Sequence, residues 1–301
     1  MTTFNIKKIL VPVDFSEAGE KAITQAISLA KATEANITLV HVIDSPANTY
    51  GPDYLGASRE FRNEFETMLH NTIKSKMEEV KKQITKEGIE VDYFIESGKV
   101  YKKINEFAEE LKADIIMMGT HGVSGFKEFL IGSNTFRVIG GTKLPVLSFQ
   151  EKGKKSGFSS ILLPFRDGLH SREGVEYAIQ IAKIYGATIH ILGINIDTDE
   201  AALKKMQFEA RQIKDVIEKR GIECTTDVLT GNYLASLILS FAENKNADLV
   251  VIMADVERTE LREYIIGPVT QQIVNHSKIP VLSIHPAYNP SVVNQANPIM
   301  D

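Results

Sequence analysis

The chain reads Lys8-Ile9-Leu10-Val11-Pro12-Val13-Asp14-Phe15-Ser16 near its start, an apolar run that ends in an acidic residue. A second version, Ser160-Ile161-Leu162-Leu163-Pro164-Phe165-Arg166-Asp167-Gly168, follows far downstream. Further matches come in the same order, and the last of them are Leu144-Pro145-Val146-Leu147-Ser148 and Ile279-Pro280-Val281-Leu282-Ser283. Matches in one order across two halves of a chain indicate an internal duplication, so we expect two domains of the same fold.

Each half alternates short apolar runs with amphipathic helical patterns. The run Ile115-Ile116-Met117-Met118 is apolar on both faces, which is typical of a parallel strand covered by helices on two sides. We therefore expect the α/β class, with a doubly wound, Rossmann-like sheet of five parallel strands in each half. The first half is predicted to hold strands at 7–13, 37–43, 90–96, 114–119 and 145–149, and helices at 17–34, 58–88, 100–112 and 132–141.

Composition along the chain predicts the domain boundaries. The polar stretch 150–157 contains glycines and lysines and predicts a flexible linker. It separates a first domain at 1–150 from a second domain at 158–287. The last residues, 288–301, show no periodic apolar pattern, so we expect a flexible tail there.

Charge and cysteine content exclude several classes of protein. The net charge of −5 argues against a general affinity for nucleic acid or anionic membranes, because both require a dominant basic surface. No apolar stretch is long enough to span a bilayer, and the first residues lack the apolar core of a signal peptide. The one cysteine, Cys224, cannot form an internal disulfide. We therefore expect a cytoplasmic protein with this thiol buried in a strand.

A glycine pattern follows the fourth predicted strand. The chain reads Gly119-Thr120-His121-Gly122, then nine residues, then Gly132-Ser133-Asn134-Thr135 where the next helix begins. Glycines at the carboxyl end of a strand let backbone amides approach an anion, and the start of a helix attracts phosphate. Asp14 ends the first strand, at the edge of an open α/β sheet where ligands bind. These positions together predict a nucleotide site in the first half.

The glycine spacing resembles the ATP-binding signature of the universal stress protein family, and Val11-Pro12-Val13-Asp14 is similar to its first-strand motif. The resemblance covers nearly the whole chain, with one family domain per half. It implies the sheet order 3-2-1-4-5, with adenosine between the ends of strands one and four. It also implies ligand contacts from Pro12, Val13 and Asp14 at base and ribose, Val42 at adenine, Met118, Gly119, His121 and Gly122 on the β-phosphate side, and Gly132, Ser133, Asn134 and Thr135 at the phosphates.

Alternatives stay open for three side chains at this site. Asp14 could cap the following helix instead of binding the ribose or base. His121 could point to solvent, and Lys127 could either approach the phosphates or stay solvated.

The second half departs from the nucleotide pattern. Arg166 stands where the first half has Asp14, and Met253-Ala254-Asp255-Val256 followed by Glu257 replaces the glycine loop. Gly267 remains, but Pro268 after it lacks a hydroxyl. Acidic residues without glycines would hinder phosphate binding, so we expect this half to be a structural or regulatory partner. The pair Arg166-Asp167 could mark a different ligand or an internal ion pair.

Three functions compete for this chain. The first is a non-catalytic regulatory stress protein that binds ATP, with or without Mg²⁺. The second is a slow ATPase or a nucleotide-dependent phosphotransferase. The third is an interaction scaffold without a ligand. The family's nucleotide residues include no obvious general base held by a third group, and the chain has no Gly-x-x-x-x-Gly-Lys-Ser/Thr loop, so we expect the first.

The last strands of the two halves predict how the domains assemble. Members of the family pair through the final strand, and this chain supplies two, 145–149 and 280–284. Both are short and apolar and begin with proline, as an edge strand that needs a partner would. We expect them to pair in an internal pseudo-dimer of the two domains, with any homodimer using another surface or exchanging these strands.

Overall fold

The computed structural model describes residues 5–44, 59–120, 132–150, 156–166, 173–196, 199–254, 256–258 and 264–286. In the first half the strands are β1 Lys8–Pro12, β2 Asn36–Ile43, β3 Val91–Ser97, β4 Ile115–Gly119 and β5 Val146–Phe149, and the helices are α1 Glu17–Thr33, α2 Arg59–Lys86, α3 Val100–Glu110 and α4 Ser133–Gly141. Every predicted element of this half is present, with ends within two residues of the prediction. The predicted tail, 288–301, lies outside the described residues.

The second half repeats this order and adds a hairpin. Its strands are β6 Ser160–Phe165, β7 Thr188–Asn195, β8 Cys224–Thr230, β9 Leu249–Met253, β10 Val256–Arg258, β11 Tyr264–Ile266 and β12 Val281–Ile284, and its helices are α5 Glu173–Tyr185, α6 Glu200–Glu218, α7 Leu234–Asn244 and α8 Pro268–His276. Strands β10 and β11 form a separate antiparallel pair between β9 and α8. The sequence pattern did not predict this hairpin, because strands of three residues carry little periodicity.

The two halves share one sheet of ten strands in the order β3-β2-β1-β4-β5-β12-β9-β6-β7-β8. Each half therefore has the expected order 3-2-1-4-5 with parallel neighbours. At the centre β5 and β12 pair antiparallel, with Leu147 opposite Leu282, and the Ser148 hydroxyl donates to the Val281 carbonyl at 3.2 Å. The predicted α/β fold and the predicted pairing of the last strands are both confirmed.

Helices cover both faces of the sheet. The apolar side chains of the strands are therefore buried in two cores, one on each face of the sheet. Buried residues of α1, α2, α5 and α6 form one cluster with the sheet, and those of α3, α4, α7 and α8 form the other. Helix α1 shows how the sequence sets this packing, because Ala22, Ala26 and Ala30 are spaced at one helical turn and are all buried. No described helix is long and apolar enough to cross a membrane.

Contacts beyond the central strands also join the halves. The Gly157 backbone N–H, at the end of the predicted linker, donates to the buried side chain of Gln25 on α1 at 3.1 Å. Gly157 has a φ of 80°, and a Cβ there would lie 2.9 Å from the Tyr185 ring. The linker end is thus packed between α1 and α5. On the other face the Gln150 side chain donates to the Val274 carbonyl at 3.2 Å.

Cys224 begins β8 and is buried, as the sequence predicts. Burial raises the pKa of its thiol to about 12. The thiolate, which is the reactive form of cysteine, is therefore scarce in the folded protein.

Candidate functional site

The turn between β1 and α1 holds Asp14 in one orientation. The backbone N–H and the hydroxyl of Ser16 both donate to Asp14 Oδ1, at 3.0 and 2.6 Å. Ser16 is the N-cap of α1, because its hydroxyl also accepts from the Gly19 backbone N–H at 3.1 Å. Asp14 is therefore not the helix cap, and the capping alternative is wrong. Its half-buried carboxylate lies at the carboxyl end of β1, beside the first turn of α1.

Gly19 makes room for this carboxylate. A Cβ on Gly19 would lie 2.6 Å from Asp14 Oδ1, which is closer than side-chain carbons come to oxygen. The carboxylate therefore packs directly on the N-terminal backbone of α1. That end of a helix carries partial positive charge.

An aromatic cluster supports the same turn from β2 and α2. The His41 side chain donates through Nδ1 to the Val13 carbonyl at 2.7 Å, a bond that requires the proton on Nδ1. The Phe15 ring lies 5.1 Å from the His41 ring, and Lys76 Nζ lies 5.1 Å from the Phe15 ring centre. Phe15 has a φ of 60°, unusual for a residue with a side chain, and these contacts hold it there.

Burial lowers the pKa of His41. The bond to the Val13 carbonyl and the charge of Asp14 act in the opposite direction, and the charge of Lys76 adds to the lowering. Neutral His41 is thus favoured beside Asp14. Sequence reasoning missed His41, Phe15 and Lys76, because nothing in their spacing indicates that they meet.

The end of β4 packs against the start of α1. A Cβ on Gly119 would lie 2.8 Å from both the Ala18 carbonyl carbon and the Gly19 nitrogen. The absence of a side chain at Gly119 is thus required by backbone packing within the domain. A contact between Gly119 and a phosphate stays a prediction.

Hydrogen bonds tie α4 to the end of β4. The Gly132 N–H donates to the Thr120 carbonyl at 2.8 Å, and the Thr135 hydroxyl donates to the Gly119 carbonyl at 3.1 Å. Thr120 is held by the Phe149 carbonyl, to which its own N–H donates at 2.8 Å. Thr135 is buried, so the structure gives its hydroxyl a positioning bond, and its role as a phosphate ligand stays a prediction.

The site lies where the strand order reverses. Strands β1 and β4 are parallel neighbours, with Ile9 opposite Ile115, and their carboxyl ends meet between α1 and α4. Asp14, Gly119 and the first turn of α4 come together there, as the sequence predicts, and Ser133 is exposed at that turn. Of the other predicted residues, Met118 is buried within the sheet, and Pro12, Val13 and Val42 lie at the ends of β1 and β2; Asn134 is half-buried on α4.

Three predicted residues, His121, Gly122 and Lys127, lie outside the described part of the chain. Among the residues that are described, no group of three histidine, cysteine or acidic side chains could hold a metal ion.

The equivalent position in the second half has a different chemistry. Arg166 is exposed after β6, in the place of Asp14. The Ala254 N–H donates to the Ile284 carbonyl at 2.7 Å, as Thr120 does to Phe149, so the backbone geometry at the strand end is kept. Helix α8 begins with Pro268, which has no N–H for an anion. Asp167 and Asp255 lie outside the described residues.

Comparisons with protein families, curated sequences and solved structures all match this chain to universal stress proteins. The model of the Universal stress protein family matches residues 5–149 and 157–285. Universal stress protein MJ0577 of Methanocaldococcus jannaschii is 36% identical over 155 residues, covering 48% of this chain and 96% of that protein. The crystal structure of a universal stress protein from Archaeoglobus fulgidus has a TM-score of 0.72 and 23% identity, and covers 94% of this chain and 97% of its own.

Two further solved structures are complexes with nucleotides. One universal stress protein is in complex with cAMP, at 20% identity and a TM-score of 0.36, covering 44% of this chain and 100% of its own. One from Archaeoglobus fulgidus is in complex with dAMP, at 17% identity and a TM-score of 0.35, covering 42% of this chain and 97% of its own. The bound cAMP and dAMP belong to those two proteins.

Proposed function

The chain belongs to the universal stress protein family, with two family domains in tandem, and we propose that the first domain binds one adenine nucleotide while the second binds none. The nucleotide is ATP, with or without Mg²⁺. The role is regulatory, through binding rather than efficient hydrolysis.

The orientation of Asp14 is the observation that carries this proposal. Its carboxylate is held through Oδ1 by two donors of Ser16 at the point where β1 and β4 end. A carboxylate fixed there can accept hydrogen bonds from ribose hydroxyls, and α4 begins beside the end of β4, where the start of a helix attracts an anion. Recognition of a sugar at one end and phosphates at the other suits a nucleotide.

The contrast between the halves supports one site per chain. The second domain keeps the strand order and the backbone bond of Ala254, but it replaces the acceptor Asp14 by the cation Arg166. Pro268 removes one amide from the start of α8. Both changes act on the groups that would bind a nucleotide rather than on the fold.

The hydrogen bonds of Asp14 and His41, at the turn between β1 and α1, support nucleotide binding without efficient ATP hydrolysis. Among the described residues there, Asp14 accepts from Ser16 and His41 donates to the Val13 carbonyl, so both are engaged with the chain itself. Hydrolysis requires a base in reach of an attacking water, held by a third group. We therefore propose that any ATP hydrolysis is slow.

Calorimetric titration of the full chain with ATP and adenosine tests the proposal. We expect one site per chain, and Asp14→Ala should weaken both ligands about tenfold or more, because a hydrogen bond to a charged group is lost. The matched variant Arg166→Ala, at the equivalent position of the second half, should leave the binding unchanged. Two equivalent sites, or equal effects of the two variants, would contradict the assignment.

Two further measurements separate the alternatives. Mass spectrometry of nucleotide released from freshly purified protein should identify an adenine nucleotide, and a chain that neither carries nor binds one would be the ligand-free scaffold. Phosphate release from ATP by the purified chain should be slow or absent. Rapid release that Asp14→Ala abolishes would favour the ATPase instead.

A further inference from the structure

We propose that the hairpin β10–β11 of the second domain is part of the nucleotide site of the first domain, where it positions helix α4 against the phosphates. This inference rests on the nucleotide binding proposed above. It gives the second domain a role in binding although it offers no site of its own.

The hairpin reaches across the boundary between the halves. Strand β11, Tyr264–Ile266, packs against α4, Ser133–Gly141, which belongs to the first domain. Its last residue, Ile266, is 5% exposed and lies in the same buried apolar cluster as Val138 and Ile139 of α4. The cluster is therefore continuous from one domain into the other at this helix.

Helix α4 depends on these neighbours for its position. It has nine residues, about 13 Å in length, and a helix so short is held by tertiary packing rather than by its own propensity. One side packs on α3, where a side chain on Gly141 would collide with Asn105. Among the described elements of the second half, β11 packs against it as well. The second half thus contributes to where the first turn of α4 lies.

The position of the first turn of α4 affects the binding of phosphates more than the binding of adenosine. The amides at Ser133 and Asn134 can bind an anion only if they face it at hydrogen-bond distance. Two bonds, from Gly132 to Thr120 and from Thr135 to Gly119, connect the turn to β4, but they leave the body of the helix to apolar contacts. A shift of α4 would weaken the phosphate bonds, while Asp14 in the turn after β1 would still hold the ribose.

Other contacts join the two domains besides the one between β11 and α4. Strands β5 and β12 pair at the centre of the sheet, and Gln150 donates to the Val274 carbonyl. These bonds do not involve the hairpin. A change at Ile266 can therefore loosen α4 while the two domains stay associated.

The experiment measures the dissociation constants of ATP and adenosine for the full chain, the wild type and Ile266→Ala. We expect ATP to weaken about tenfold and adenosine less than about twofold, because one phosphate bond to the helix is lost. The matched control is Ile213→Ala on α6, a residue of the same domain that is 4% exposed and lies in the other cluster. Ile213→Ala should lower the melting temperature as much as Ile266→Ala does. It should leave the ratio of the dissociation constants of ATP and adenosine unchanged.

Each outcome decides the inference. If Ile266→Ala weakens ATP and adenosine equally, or changes neither, the hairpin does not position the phosphate site. If this variant does not fold, Ile266→Val is measured, and its ratio should shift by about threefold in the same direction; an unchanged ratio overturns the inference. A wild type that binds neither ligand would overturn the proposed function as well, whereas a binding wild type with an unchanged ratio refutes the hairpin role alone.

Discussion

Gly119 lies directly against Gly19: a Cβ on Gly119 would be 2.8 Å from the backbone nitrogen of Gly19. Gly19 in turn lies against the Asp14 carboxylate, since its own Cβ would be 2.6 Å from Oδ1. Strand β4, helix α1 and the acidic residue of the site are therefore in contact through two glycines. Part of the glycine pattern that resembles a nucleotide signature is explained by packing inside the protein.

Gly119→Ala should destabilise the fold. The new methyl group would meet the backbone at Ala18 and Gly19, which cannot move aside as a flexible side chain can, and overpacking of this kind costs about 1–3 kcal/mol. Urea unfolding of the ligand-free chain measures the loss. Gly174→Ala near the start of α5 is the control, because its Cβ would meet Met253 Sδ at 3.5 Å, an ordinary contact, and should leave the stability equal or slightly higher. Equal stability of both variants would contradict the packing role of Gly119.

Val281→Asp should weaken both domains together. Val281 is buried in β12 opposite Ser148 of β5, and an unpaired charge in this place is expected to cost about 3–5 kcal/mol. Unfolding followed by probes in each half should show a joint shift, and small-angle scattering should show a more open particle. Val216→Asp on α6, where the side chain is 47% exposed, should change neither. A loss of stability that is confined to the second half would argue against strand pairing between the domains.

His41 should make the free energy of unfolding depend on pH. Burial lowers its pKa below the value of 6.5 that it has when unfolded, so the unfolded chain takes up a proton first as the pH falls. The stability that neutral His41 allows is therefore present above pH 6.5 and is lost as the pH falls from 6.5 toward the lowered pKa. His41→Asn retains a donor for the Val13 carbonyl and does not titrate, so it should lose less stability between pH 7.5 and 5.

The control for this measurement is His70→Asn on the exposed side of α2. It leaves His41 in place, so the acid-sensitive part of the wild-type pH profile should remain. If His41→Asn shows that same profile, His41 is not the group that causes the acid sensitivity.

Cys224 should resist thiol reagents while the protein is folded. Its side chain is buried, and the pKa of about 12 leaves little thiolate at neutral pH. Labelling with iodoacetamide should therefore be slow in buffer and rapid in denaturant, as followed by mass spectrometry. Fast stoichiometric labelling without denaturant would show that β8 opens locally in the native state.

The sequence alone determined the duplication, the alternation of strands and helices and, in the first half, the limits of these elements to within two residues. These features depend on local periodicity and on repetition, which a single chain displays along its length. It also placed Asp14, Gly119 and the start of α4 at one edge of the sheet, because in a parallel sheet the carboxyl ends of the strands share an edge.

Only the tertiary structure decided which contacts those residues make. Gly119 and Gly19 are 100 positions apart, and the bond from His41 to Val13 spans 28. The contact of β11 with α4 joins residues from different halves of the chain. Such contacts depend on how helices and strands pack after folding, and spacing along the chain carries no record of them. Sequence spacing therefore predicted where the candidate site lies, whereas packing between distant segments shows which residues surround Asp14, Gly119 and α4.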